Sequence, residues 1–418
     1  MHNTSPNPNF LEAAERIAYQ VVNESIWHND CCTWLSYGIN PVDSSSKSFV
    51  YGNIESNFYD GSCGIAYYLA WAYKFTNNIL FKKHATGAIN HALKLAALLP
   101  VDNGYESFYT GVGGVAKTAY DVGKLTDQPA IKEQSLGLIA KIKNAGLGNC
   151  GNDVINGPAG ILPFLIQLDQ TETVPGLKTF ILSLGEKILN EGILNEKGLS
   201  WDTGMPKFQN LTGYAHGASG FIHALTELYH YSQDKHFANA ALEGLRYERN
   251  CFMPDQQNWP DFRKDEPAPQ TEIRCMNAWC HGAAGIGLSR IRVWEVLKDN
   301  VAKEETLIAL KTVQRSLHEY YQQPSSFGLC HGAAGNADLL IEASKTLQNQ
   351  QYLMEAAHAG DFGIRYYLKQ HKPFITGLKD GLYSPGFMNG LAGIGYFYLR
   401  LASLGNVPSV LLQRGLLI

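Results

Sequence analysis

The chain has 418 residues, 45% of them hydrophobic, with a formal net charge of −4 at pH 7 and a pI near 6.4. That apolar content suffices for a large core, and the acidic balance argues against a nucleic-acid-binding face. Residues 1–8 are polar and no apolar run is long enough to span a bilayer, so neither a signal peptide nor membrane insertion is expected. The eight cysteines, at 31, 32, 63, 150, 251, 275, 280 and 330, are too scattered for a disulfide framework and fit a reducing cytoplasm.

An opening helix is predicted from about Phe10 to Val22. A Gly-x-x-Gly tetrad then returns seven times, beginning at Gly61, Gly111, Gly157, Gly217, Gly282, Gly332 and Gly390. Periods of this length signal a repeat architecture. Each tetrad precedes a run that is apolar nearly all round, such as Gly160-Ile161-Leu162-Pro163-Phe164-Leu165-Ile166. A helix of that kind is buried on all sides. An amphipathic helix follows, its stripe exemplified by Ile89, Ala92, Leu93, Leu95, Ala96 and Leu99. Turn-rich connectors, Asp102-Asn103-Gly104 and Pro254-Asp255-Gln256-Gln257-Asn258 among them, separate the units.

Seven helical hairpins can form an open superhelix or a closed double ring. An open solenoid needs polar caps, yet the last unit ends in apolar Tyr396-Phe397-Tyr398-Leu399-Arg400-Leu401. The expected fold is therefore all-α, an α/α toroid formed by residues 1–418 as one domain. The tetrads would gather on one face around a central cavity, at the N-terminal ends of the inner helices.

The chemistry should lie just upstream of each tetrad. Those positions hold Asp60, Thr110, Asn156 with Asp153 nearby, His216, Cys280-His281, Cys330-His331 and Asn389. Asp60, Asn156 and Asn389 read as helix N-caps; Asp153 stands further out, and capping explains it less well. Two Cys-His pairs at equivalent points of two repeats read as a zinc site, because thiolate and imidazole are ligands that Zn²⁺ prefers. Spacing leaves open whether His281 or His331 completes it. His216, which lacks a preceding cysteine, reads either as a core histidine or as a proton donor or acceptor beside the metal.

Ala278-Trp279-Cys280-His281-Gly282, Leu329-Cys330-His331-Gly332 and Ala215-His216-Gly217 resemble the lanthionine synthetase C family, the cyclases of lanthipeptide biosynthesis. The resemblance runs through the seven tetrads and implies an α/α toroid. It implies one zinc on Cys280, Cys330 and His331, and acid/base roles for His216 and Asp153. His281 would then stand behind the ligands. Asn258-Trp259-Pro260-Asp261-Phe262-Arg263, the stretch from Pro385 to Tyr396, and Pro408-Ser409-Val410-Leu411 resemble the cyclase domain of class II synthetases. Class I cyclases often carry Arg-Asp where this chain has Met276-Asn277, so Arg263 or Arg274 is offered as the source of that charge.

The implied reaction adds a peptide Cys thiol to dehydroalanine or dehydrobutyrine, giving (methyl)lanthionine. The resulting enolate takes a proton at Cα, with His216 as the acid and Asp153 orienting it. The implied partners are a dehydrated precursor peptide and a separate dehydratase in a bacterial cytoplasm. The 60 residues before Gly61 are too few for a dehydratase, and no Gly-rich nucleotide loop is present. Two other readings remain: addition of glutathione or another small thiol to dehydroamino acids in proteins, and a non-catalytic, zinc-stabilised scaffold docking a synthetase. A closed zinc with His281 as fourth ligand would mark the scaffold.

Overall fold

The computed structural model describes residues 8–39, 49–99, 105–146, 151–264 and 273–414. The connector at 102–104 and Cys150 lie outside them.

Seven α-helices among the described residues begin at the tetrads: α2 (Ser62–Thr76), α4 (Val112–Leu125), α6 (Pro158–Thr171), α8 (Ala218–Ser232), α10 (Ala283–Leu297), α12 (Ala333–Thr346) and α14 (Leu391–Ala402). Each packs against the next, and α14 packs against α2, so this inner ring closes. In α2 every residue from Ser62 to Ala72 is buried, and in α12 every residue from Ala333 to Ser344. That explains why these runs carry no polar stripe.

The outer ring is α1 (Pro8–Asn23), α3 (Ile79–Leu98), α5 (Pro129–Ala145), α7 (Leu177–Asn190), α9 (Lys235–Cys251), α11 (Asn300–Gln322) and α13 (Gln350–Gly363). These helices bury one face, as α9 does with Phe237, Ala241, Gly244, Leu245 and Glu248. The predicted stripe of α3 is buried at Ile89, Ala92, Leu93 and Ala96, while Leu95 is half-buried and Leu99, past the helix end, is exposed. Six hairpins are contiguous in sequence, from α2–α3 to α12–α13. The seventh is not: α14 packs on α1, so the last inner helix takes the first outer helix as its partner. The first and last helices thereby lock each other.

Four two-stranded antiparallel hairpins among the described residues have no counterpart in the sequence reading. They are β1 (Ile26–His28) with β2 (Cys31–Thr33), β3 (Leu35–Ile39) with β4 (Phe49–Asn53), β5 (Gly192–Asn195) with β6 (Gly198–Trp201), and β7 (Pro260–Asp261) with β8 (Arg274–Cys275). The connector at Pro254–Asn258 is a turn closed by the Met253 amide on the Asn258 carbonyl at 2.9 Å.

The capping expectation fails for Asp60, Asn156 and Asn389. The N-caps of α2, α6 and α14 are Gly61, Gly157 and Gly390, and none has a side-chain cap. Upstream loop carbonyls satisfy the first amides instead: Glu55 accepts from Ser62 at 2.9 Å, Asn152 from Ala159 at 3.2 Å and Ser384 from Leu391 at 3.0 Å. The loop presses so close that a Cβ at Gly61 or Gly157 would meet backbone atoms at 2.5 or 2.1 Å. Side-chain caps belong to the outer ring, where Asn78, Asp234, Asp299 and Asn349 accept from amides at 2.9–3.0 Å.

The centre of the ring is filled. Val407, Val410, Leu411 and Leu412 are buried, and their segment is stitched to the ring by hydrogen bonds. Tyr109 donates to the Val410 carbonyl at 2.8 Å, Trp279 to Leu411 at 3.0 Å, Tyr396 to Pro408 at 2.7 Å, and Gln413 to Gly160 at 2.6 Å. Open space is left at the mouth, where the tetrad loops meet.

Arg400, fully buried on α14, pairs with Asp338 at 2.5 Å and Glu342 at 2.7 Å on α12 and donates to the Val407 carbonyl at 2.7 Å. Breaking a buried pair strands the remaining charges. Arg400→Met is expected to cost about 3–5 kcal/mol, seen as a lowered denaturant midpoint with an unchanged slope.

Candidate metal centre

The residues two places before the tetrads are Tyr59, Tyr109, Ile155, Ala215, Cys280, Cys330 and Met388. Their carbonyls link neighbouring loops. Tyr214 and Ala215 donate their amides to Cys280 at 3.2 and 3.1 Å, Trp279 and Cys280 to Cys330 at 3.1 and 3.3 Å, and Leu329 and Cys330 to Met388 at 3.0 Å each. Phe387 and Met388 donate to Tyr59 at 3.2 and 2.7 Å, and Phe58 and Tyr59 to Tyr109 at 3.1 and 2.9 Å. The Val154 amide reaches Ala215 at 3.2 Å, and the Thr110 hydroxyl completes the circuit on Ile155 at 3.0 Å. All seven loops therefore share one register, and cysteines 50 residues apart in sequence become neighbours.

Cys280, Cys330 and His331 offer ligand atoms within 4.8 Å of one another, and both cysteines are buried. The hydrogen bond from Cys330, with burial, holds the Cys280 thiol well above its ordinary range. Two adjacent thiols resist ionising together in a buried place, and a cation that displaces their protons relieves that conflict. Burial alone would lower His331, but the hydrogen bond and charge of Cys280 outweigh it and raise the imidazole above its usual value. His331 Nε2 donates to the Gly377 carbonyl at 2.6 Å, which leaves the Nδ1 lone pair for a metal. The donor chemistry and the fixed tautomer both fit a metal ion, and zinc most readily.

Beside the trio, His216 Nδ1 meets Asp153 Oδ2 at 2.8 Å, and the Asn156 amide donates to Asp153 Oδ1 at 2.7 Å. Asp153 is buried, whereas His216 keeps 18% of its side chain exposed and so faces the mouth. Glu248 on α9 steadies this loop, accepting from the amides of Gly213 at 3.0 Å and Ser219 at 3.1 Å and from Arg290 at 2.9 Å.

His281 is not in the trio. Its ring lies 6.0 Å from that of His216, and its Nδ1 is 3.8 Å from Asp261. Burial, then the charge of Arg263, pushes it down to about 3, so it is neutral near pH 7. Arg263 forks onto Asp261, with Nε at 3.0 Å and Nη2 at 2.6 Å. Arg274 is exposed on β8, its strand paired to Asp261, and is not brought to the trio.

Sequence reasoning missed Tyr59, Gly377 and Asp261. Tyr59 could have been found, since it occupies the repeat position of the two cysteines. Its hydroxyl donates to Cys330 Sγ at 2.8 Å. Asp60 accepts from the amide and side chain of Asn389 at 3.3 and 3.2 Å, and burial pushes its carboxyl up to about 6 against those bonds. Tyr59, Asp60, Gly377 and Asn389 form the inner end of a groove of about 730 Å³ whose outer wall is the β3–β4 hairpin.

Residues 53–412 match the family described as Lanthionine synthetase C-like protein. The chain belongs to this family. Among curated proteins it is similar to the Lacticin 481/lactococcin biosynthesis protein LcnDR2 of Lactococcus lactis subsp. lactis, 24% identical over 396 residues, 92% of this chain and 39% of that protein. The chain thus spans about two fifths of that relative's length. It is also similar to Glutathione S-transferase LANCL1 of Danio rerio, 23% identical over 323 residues, 74% of each chain. Nisin cyclase shares the fold, with a TM-score of 0.67 at 17% identity over 97% of this chain and 98% of that one. The lanthionine synthetase C-like toroid has, among the described residues, no helix long and apolar enough to cross a membrane.

Gly377 fixes how close His331 can come, because an added Cβ would meet Asn389 Oδ1 at 2.6 Å and His331 Nε2 at 2.9 Å. Gly377→Ala is expected to keep the fold by circular dichroism and to weaken binding of an added metal ion at the trio by about 10–100-fold, measured by competition with a chromogenic chelator.

Proposed function

We propose that this protein is a zinc-dependent lanthipeptide cyclase, with residues 1–418 acting as one toroid domain. The observation that carries the reading is a soft-donor trio, Cys280, Cys330 and His331, opening onto the same mouth as the His216–Asp153 pair. Membership of the lanthionine synthetase C-like family and likeness to a lacticin 481/lactococcin biosynthesis protein support it.

Zinc bound by the trio supplies a Lewis acid that lowers the pKa of the incoming peptide thiol, otherwise about 8.5 and mostly protonated at neutral pH. The protein's own residues do the rest. Cys280 and Cys330 would hold the ion and supply the negative charge that keeps the peptide sulfur nucleophilic. Attack of the peptide thiolate on the β-carbon of dehydroalanine or dehydrobutyrine forms the C–S bond and pushes the electron pair toward the carbonyl, giving an enolate.

His216 Nε2 delivers the proton to Cα. Its Nδ1 is held by Asp153, which orients the ring and stabilises the imidazolium that donates. Neutral His281 beside it adds no competing charge. Arg263, pinned on Asp261, keeps that carboxylate charged behind His281. The groove along β3–β4 gives an extended peptide room to lie beside the trio. The peptide arrives already dehydrated.

The relative named Glutathione S-transferase LANCL1 favours a second reading, addition of glutathione to dehydroamino acids by the same residues.

Metal analysis and cyclisation assays on variants separate the roles. Cys280→Ala and Cys330→Ala should each lose zinc, and full occupancy in either would overturn the ligand set. His216→Ala should keep one zinc per chain while cyclisation of a dehydrated peptide falls about 10²–10⁴-fold. A wild-type rate would move the acid elsewhere.

A further inference from the structure

Tyr59 lies 271 residues from Cys330 in sequence, yet its hydroxyl is 2.8 Å from that residue's sulfur. We infer that Tyr59 is a positioning residue that donates a hydrogen bond to the Cys330 thiolate and draws negative charge from it. The inference rests on the proposed metal site.

Three observations carry it. The repeat does not impose this aim: Tyr109 stands at the equivalent position and donates to the Val410 carbonyl instead. The Tyr59 loop is also fixed from every side. Its carbonyl accepts the amides of Phe387 and Met388, its amide donates to Tyr109, and Asn57 Oδ1 accepts the next two amides at 3.0 and 3.2 Å. Finally, a phenol O–H aimed at a thiolate acts as a charge-assisted donor.

The chemistry gives that bond a purpose. Two cysteine thiolates already balance a divalent cation, and a third thiolate from the peptide makes the assembly anionic. By drawing charge from Cys330, Tyr59 eases deprotonation of the incoming thiol. It also leaves Cys280 and Cys330 unequal as donors. Since Tyr59 lines the inner end of the β3–β4 groove, the same side chain touches both the peptide's path and the ligand sulfur.

The test uses the full chain loaded with Co²⁺, whose sulfur-to-cobalt charge-transfer bands report thiolate electron density. Tyr59→Phe should keep one metal per chain and a native circular dichroism spectrum. Its charge-transfer band should move to longer wavelength. With zinc, the acid limb of the kcat/KM profile should move to higher pH, and the rate at neutral pH should fall by about 10-fold. Replacing Tyr59 with 3-fluorotyrosine, a stronger donor, should move the band the opposite way. Unchanged spectra in both variants, with wild-type protein binding Co²⁺ normally, would overturn the role of Tyr59 and leave the metal site standing. Failure of the wild-type chain to bind Co²⁺ or Zn²⁺ would overturn both.

Discussion

A circuit of loop-to-loop hydrogen bonds, running through the carbonyls two places before each tetrad, sets the geometry on which everything else in this toroid depends. Each carbonyl is buried at a crowded mouth and must find a donor. Neighbouring loops supply it, so one loop cannot shift without stranding polar groups in the next. The glycines of the tetrads answer a closeness within each loop: a Cβ at Gly285, Gly335 or Gly393 would meet the carbonyl oxygen six residues upstream in its own loop at 2.0, 1.8 or 1.7 Å. Cys280 and Cys330 meet because they occupy the same register in adjacent repeats.

The ring is stiffened from behind by buried ion pairs. Arg290 on α10 joins Glu248 on α9 to Glu305 on α11, at 2.9 and 2.7 Å. Glu248 in turn holds the amides flanking His216, so an outer-ring carboxylate orders the loop that carries the proposed acid. The C-terminal segment at 407–413 closes the centre and receives hydrogen bonds from Trp279 and Tyr109, both beside the mouth. Packing at the core and polarity at the rim are thus one connected structure, and the site inherits its rigidity from both.

The period of the tetrads and the all-round apolar runs made the inner ring legible in the sequence, and the apolar last repeat made its closure legible. The pairing of α14 with α1 was not, because a partnership across the whole chain leaves no local pattern. The small β-hairpins escaped for a related reason: they are too short to show alternation. At the site, Cys280, Cys330 and His216 stood out in the sequence because Cys and His carry distinctive chemistry at repeat positions, whereas Asp153 entered as an acid/base candidate only through family resemblance. The choice of His331 over His281 came only from family resemblance. Three-dimensional placement adds reasons for it: His331 is locked by Gly377, whereas His281 turns to Asp261 and His216. Capping was misread for Asp60, Asn156 and Asn389 because the loop carbonyls that replace side-chain caps come from backbone that no residue pattern announces.

The proposed function turns on one chemical step: a thiol of the peptide itself adds to a dehydro residue, and the enolate is then protonated. The direct measurement is high-resolution mass spectrometry of a dehydrated, cysteine-containing peptide, incubated with the zinc-loaded protein in D₂O with excess glutathione, then exchanged back into H₂O and alkylated. The expected product resists alkylation, carries no glutathione and retains one deuterium at Cα for each ring formed. Peptide that keeps its alkylatable thiols and gains the mass of glutathione would contradict this step.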